Sequence, residues 1–131
     1  MELTVGLTGR AEVTVVKENT AAAVGSGLLP VFATPAMVAL MEAAAVNAIE
    51  SHLEEGSGSV GIHLDVTHDA ASPVGAHIRA EAVLTAVDGR KLTFAVTAFD
   101  DAGPIGKGVH QRFVIQNEKF LAKAQAKKGA D

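Results

Sequence analysis

From Leu7 to Val16, apolar Leu7, Ala11, Val13 and Val15 interleave with Thr8, Glu12 and Thr14, the two-residue period of a half-buried strand. The period then breaks. Lys17 to Leu29 mixes polar residues, alanines and a Gly25-Ser26-Gly27 run, which predicts a pliable segment with at most one short helix, placed to serve as a lid. From Val31 the pattern changes again. The run VFATPAMVALMEAAAVNAIESHLEEG predicts one long helix, with Thr34 as its cap, Pro35 in its first turn and an end at Glu55-Gly56. Between Pro35 and Val46 nearly every side chain is apolar, so this helix is expected to be buried round most of its circumference. Glu42 is the only charge inside it.

Beyond Gly56-Ser57-Gly58 the period returns to two, with strands predicted at Val60–Val66, Ala76–Val87, Lys91–Phe99 and Gly106–Ile115. Turn residues separate them at Ser72-Pro73, Asp88-Gly89 and Asp101 to Pro104, and Asp88-Gly89 between Val and Leu residues is a hairpin signal. Gln116 to Lys128 predicts a short helix with a basic end. The order of strand, long helix and about four meandering strands implies an α+β class: an antiparallel sheet wrapped around one central helix, in a single domain over 1–131. One sheet on so apolar a helix leaves apolar surface that a second copy would cover, so a homodimer is expected.

Composition narrows the chemistry. The 131 residues are 48% hydrophobic and 20% charged, as in a packed globular domain. Net charge is −4 without a basic stripe, which argues against a nucleic-acid partner. There are no cysteines, so any nucleophile is oxygen-based and a reducing compartment fits. The N-terminus lacks the basic and apolar regions of a secretion signal. The longest apolar stretch, Val31 to Ile49, carries Glu42 at mid-span, which is costly in lipid. No membrane partner is expected.

Three polar residues stand apart from a bland core. Thr34, at the helix start, lies beside unpaired amides that favour a developing oxyanion, although plain capping uses the same position. Glu42 is eight positions on, rotated by roughly 80° at ~100° per residue, so both residues can border one cleft. A carboxylate among Met37, Leu40 and Met41 needs a partner or a raised pKa; both occur at functional sites, and structural hydrogen bonding is the alternative. His68 continues the alternation of Val60, Ile62, Leu64 and Val66, which places it on the face packed against the helix as a candidate base or as a core histidine. His63, Asp65, His68 and Asp69 resemble metal spacing on paper. Alternation sends His68 to the other face, so no metal site is expected.

ATPAMVALME (Ala33 to Glu42), VTHDAASPVG (Val66 to Gly75) and GKGVHQRFVI (Gly106 to Ile115) closely resemble the fluoroacetyl-CoA thioesterase-like branch of the hot-dog superfamily, over about Val31 to Lys123. The resemblance implies a hot-dog fold, hydrolysis of a small or short-chain acyl-CoA, and a catalytic Thr/Glu/His set at Thr34, Glu42 and His68. It leaves open which of them is the nucleophile. It also implies that Gly61 positions the thioester carbonyl, with Leu28 and Phe32 as further substrate-binding positions. A dimer with sites near the subunit interface and CoA along the surface is implied too. The expected location, in keeping with the absence of cysteines and of a secretion signal, is the cytoplasm. No cofactor is expected, CoA being part of the substrate. The lid departs from the pattern: Lys17 to Pro30 is short and has no aromatic residue, so a broader or different short acyl-CoA specificity is expected. His110 and Arg112 share a strand face with Gly106 and Gly108 and suit local pairing or an interface better than a CoA phosphate. The alternatives are a non-catalytic dimer that binds acyl-CoA or another small ligand, and a hydratase.

Overall fold

In the computed structural model, which describes residues 2–129, the chain enters as β1 (Thr8–Thr14) and passes through a 3-10 turn (Lys17–Asn19) and α1 (Ala21–Val24). It then forms the long helix α2 (Thr34–Ile49), β2 (Ser57–His68), β3 (His77–Asp88), β4 (Lys91–Asp100), β5 (Gly103–Gln116) and α3 (Asn117–Ala126). Residues 1, 130 and 131 of the expected single-domain span lie outside the described residues. The strands form one antiparallel sheet in the order β1-β3-β4-β5-β2. This is the α+β arrangement expected from the residue pattern, with β1 and β2 as its two edges.

The alternation in β3 and β4 turns Ile78, Ala80, Ala82 and Leu84, with Leu92, Phe94, Val96 and Ala98, onto the helix side, where Met37, Met41, Ala44, Ala45, Ala48 and Ile49 of α2 meet them. Small residues set the spacing. A Cβ on Gly9 of β1 would run into the backbone of Ala44 and Ala48, so only glycine lets the first strand lie this close to the helix. Gly89, at φ +61°, makes the two-residue turn between β3 and β4, as its Asp-Gly signal predicts.

Three details differ from expectation. Ala33, not Thr34, is the N-cap of α2, and no side chain bonds there. The chain arrives extended, with Phe32 N–H donating to Ser72 O at 2.9 Å and Ala33 N–H to Asn19 O at 3.0 Å, so Thr34 is already helical and its hydroxyl is released from capping. The helix stops at Ile49 and tightens into a 3-10 turn at Glu50–His52, short of Glu55-Gly56, with Leu53 N–H donating to Glu50 O.

The third difference lies in β2. Gly61 pairs with Arg112 and Leu64 with His110, with a bulge between Gly61 and His63. Three steps on β2 thus match two on β5, and the side-chain parity inverts at that point. Before the bulge Ser59 and Gly61 face the helix; after it Leu64, Val66 and His68 do. Val60, expected inside, is displaced by this shift, and Ile62 is half exposed.

Candidate active site

α2 and β2 together place the candidate residues. Thr34 opens the helix and His68 closes the strand, and their side chains meet: Thr34 Oγ1 lies 2.7 Å from His68 Nδ1. His68 Nε2 is buried with no hydrogen-bond partner among the described residues. The pair lines a cavity of about 240 Å³ with Phe32, Val31, Ala21 and Ser26. A buried, unsatisfied imidazole nitrogen beside a polar cavity is costly in a purely structural role and suited to a proton carrier.

The surrounding loop holds this pair in place. Asp69 N–H donates to Ile105 O and Phe32 N–H to Ser72 O, while the buried Ser72 hydroxyl donates to Asp100 Oδ2 at 2.8 Å. The segment after His68 is therefore stitched to the chain before Thr34 and to the β4–β5 turn. The Ser72 hydrogen bond, helped by the Ala102 and Gly103 amides, holds the Asp100 carboxyl below its ordinary pKa against an opposing burial effect.

Glu42 belongs to a second cluster. Two helical turns beyond Thr34, its Oε2 accepts from Arg112 Nη1 at 3.1 Å and lies 3.8 Å from His110 Nε2. Arg112 also donates through Nε to Ser59 Oγ at 2.8 Å and through Nη2 to Ser59 O at 2.9 Å. His110 Nδ1–H donates to His63 O at 2.9 Å, which leaves Nε2 to accept from Arg112 Nη1 at 3.1 Å. His110 and Arg112 are buried, so they pair locally and present nothing to a surface phosphate. Burial lowers the His110 pKa, the adjoining Arg112 charge lowers it further, and the His63 carbonyl and Glu42 oppose both. Burial likewise lowers that of Arg112, against the attraction of Glu42.

Gly61 lies directly on this cluster. A Cβ there would strike Glu42 Oε2, with His110 Cε1 at 3.2 Å and Arg112 Nη1 at 3.4 Å, so the backbone of β2 approaches the carboxylate as only glycine permits. Phe32 is buried and lines the Thr34–His68 cavity. Leu28 is 94% exposed and does not line it; Ala21 and Ser26 supply the lid side instead. Within one chain, Thr34 and His68 come together, as do Glu42 and Gly61. About 12 Å of helix, at ~1.5 Å per residue, separates Thr34 from Glu42. Residue pattern did not reveal Ser59 as the second partner of Arg112, since a lone serine before a bulge carries no signal of its face. Among the described residues no three His, Asp or Glu side chains are grouped to hold a metal ion.

The sequence pattern of the fluoroacetyl-CoA-specific thioesterase (FlK) family matches residues 15–118. The fluoroacetyl-CoA thioesterase of Streptantibioticus cattleyicolor is 48% identical over 97 residues, covering 74% of this chain and 70% of that protein. A solved structure of fluoroacetyl-CoA thioesterase FlK superposes with a TM-score of 0.91 at 38% identity, over 97% of this chain and 98% of that one. A thioesterase superfamily member from Thermus thermophilus gives 0.89 at 28% identity, over 97% and 94%. The match spans both the Thr34–His68 cavity and the Glu42–Arg112 cluster: this chain belongs to the fluoroacetyl-CoA-specific thioesterase family, with the hot-dog fold.

Proposed function

We propose that this protein hydrolyses small acyl-CoA thioesters, with Thr34, His68 and Glu42 as catalytic residues and Gly61 and Phe32 against the acyl end. The observation that carries the reading is the 2.7 Å Thr34–His68 contact with its buried, unpaired Nε2. Water adds to the thioester carbonyl and gives a proton to His68. Amides at the start of α2 and of Gly61 hold the oxyanion; the C–S bond then breaks and His68 returns the proton to the departing CoA thiolate. Glu42 either orients that water or, by a second route, attacks the carbonyl in its place: the C–S bond breaks to leave a Glu42–acyl anhydride and CoA thiolate, water then opens the anhydride, and its proton passes through His68 to the thiolate. In ¹⁸O-labelled water a single turnover labels the Glu42 carboxylate only by the second route. Neither route calls for a metal or a cofactor, and CoA leaves as product.

A homodimer is part of the proposal. β2 is a free edge of 12 residues, long enough to template a second copy. Antiparallel pairing of two β2 edges runs the His68 end of one protomer beside the Ser57 end of the other, which brings Thr34 and His68 toward Glu42 of the partner subunit. The lid before Phe32 contains no aromatic residue and Leu28 points to solvent, which supports a small but loosely defined acyl group rather than strict fluoroacetyl selectivity. No described helix is long and apolar enough to cross a membrane, and the cytoplasm is where acyl-CoA would be met.

A panel of acyl-CoAs varied in chain length and α-substituent, read by free thiol release, tests the function. Turnover of short acyl-CoAs is expected. CoA binding without thiol release across the panel would overturn hydrolysis in favour of a ligand-binding dimer.

A further inference from the structure

The far end of β5 carries a feature that the catalytic reading leaves unused. Arg90, from the β3–β4 turn, converges with Lys119 and Lys123 of α3 on a cavity of about 270 Å³, with Phe120, Ile115 and Gln116 completing its wall. Lys119 and Lys123 are one helical turn apart and share a face. None of the three cations forms an ion pair among the described residues. Convergence of three unneutralised cations is unexpected on a chain of net charge −4 and calls for an anion. Phe120 is 41% exposed, a free aromatic face beside them.

This cavity adjoins the candidate site. A second hollow of about 200 Å³, lined by Ser57, Glu54, Val114, Arg90, Ile115 and Gln116, shares Arg90, Ile115 and Gln116 with the first. Val114 is two residues from Arg112 and on the same face of β5, and Ser57 is four residues from Gly61 on β2. The path from Gly61 and Arg112 to Gln116 therefore follows about four residues of strand, roughly 13 Å at ~3.3 Å per residue, a distance an extended pantetheine arm spans. The neighbouring hollow holds Glu54, Glu55 and Glu118 with Lys119 on its rim, and Glu54 also borders the second hollow, but no carboxylate lines the first cavity itself.

We infer that Arg90, Lys119 and Lys123 bind the phosphates of the 3′-phosphoadenosine diphosphate end of CoA, with the adenine against Phe120. The inference rests on the acyl-CoA reading and deepens it: the nucleotide is gripped at the α3 end while the thioester lies at Gly61. Guanidinium and ammonium donors supply charge-assisted hydrogen bonds to phosphate oxygens, and the planar adenine offers a ring to stack.

The test compares the Arg90→Gln/Lys119→Gln/Lys123→Gln triple variant with the unaltered protein on acetyl-CoA, acetyl-3′-dephospho-CoA and acetyl-pantetheine, alongside calorimetric titration of CoA. All three side chains are exposed, so folding is expected to be unaffected. Expected is a rise in KM for acetyl-CoA of roughly tenfold or more, equivalent to about 1.4 kcal/mol of lost binding per decade. The kcat is expected to hold, acetyl-pantetheine kinetics to be unaffected, and CoA binding to weaken. The dephospho substrate reports how much of the effect belongs to the 3′-phosphate. A KM for acetyl-CoA within twofold of the unaltered protein's, or an equal loss on acetyl-pantetheine, would overturn the site. If the unaltered protein releases no thiol from any substrate, the hydrolytic reading fails by itself. CoA titration then decides the cavity alone: weaker binding by the variant supports it, and equal binding overturns it.

Discussion

Thr34 and His68, 34 positions apart in the chain, are joined side chain to side chain at 2.7 Å. The contact closes the start of the central helix onto the end of an edge strand, and neither residue needs it for its own secondary structure: Ala33 does the capping and β5 does the pairing. Its proposed value is chemical. Thr34→Val, which keeps the volume and deletes the hydroxyl, and His68→Asn are each expected to lower kcat for acyl-CoA by about 10² to 10⁴. Circular dichroism and the unfolding midpoint should stay close to those of the unaltered protein. Near-full turnover by either variant would remove that residue from the mechanism.

The second cluster behaves differently, because Arg112 is buried while the Glu42 side chain is 36% exposed. Deleting the cation strips Glu42, His110 and Ser59 of their shared donor at once. Arg112→Met is expected to cost about 1–3 kcal/mol in denaturant unfolding, since the solvent that reaches Glu42 softens the full penalty of a broken buried pair. Glu42→Gln preserves shape and an acceptor, so it should remain folded while losing hydrolysis. Gly61→Ala should do both in part: its methyl must displace the Glu42 carboxylate, lowering kcat with a small loss of stability. A fully active Gly61→Ala variant would show that the close approach is incidental.

The long helix, the hairpin at Asp88-Gly89 and the α3 segment were legible because each depends on local chemistry: an unbroken apolar run, a turn that needs glycine, a charged amphiphile. The side of β2 on which each residue falls was only half legible. Alternation counted back from His68 gives the right face for Val66 and Leu64 and the wrong one for Val60, because a bulge is a property of two strands and leaves no mark on one. For the same reason Glu42 stood out as an anomaly without revealing its partners. Arg112 lies 70 positions away, and only the fold brings it there. Thr34 was expected as a cap on good local grounds, and the long-range bonds of Phe32 and Ala33 overrode them.

Burial lowers the His110 pKa from its ordinary value near 6.5. The unfolded chain accepts the proton at its ordinary pKa, whereas the folded protein resists it until a lower pH, so the unfolded state binds more protons between the two values. Stability is thus expected to be full above about pH 7 and to fall as pH drops below ~6.5, by at most ~1.4 kcal/mol per pH unit from this group. His110→Asn should flatten that part of the profile, while lowering stability throughout through the lost stacking on Phe94, whose ring centroid lies 6.1 Å away. Urea unfolding midpoints measured from pH 5.5 to 8 check it. An unchanged slope in the variant would assign the dependence to another group.

If two subunits build each site, inactive variants can rescue one another. Let His68→Asn and Glu42→Gln be co-expressed with different tags and the mixed dimer isolated. When Thr34 and His68 act with Glu42 of the partner subunit, one of the two sites in that dimer collects both lesions, and the other has an intact His68 and an intact Glu42. The purified mixed dimer should then regain about half of normal activity per dimer, and a random mixture about a quarter, as two-fold symmetry requires. When all three residues act within one chain, every site in the mixed dimer carries one lesion and activity stays at the level of the single variants. The roughly 12 Å of helix between Thr34 and Glu42 and the free β2 edge both favour rescue, and its absence from a verified mixed dimer would place the whole site in one subunit.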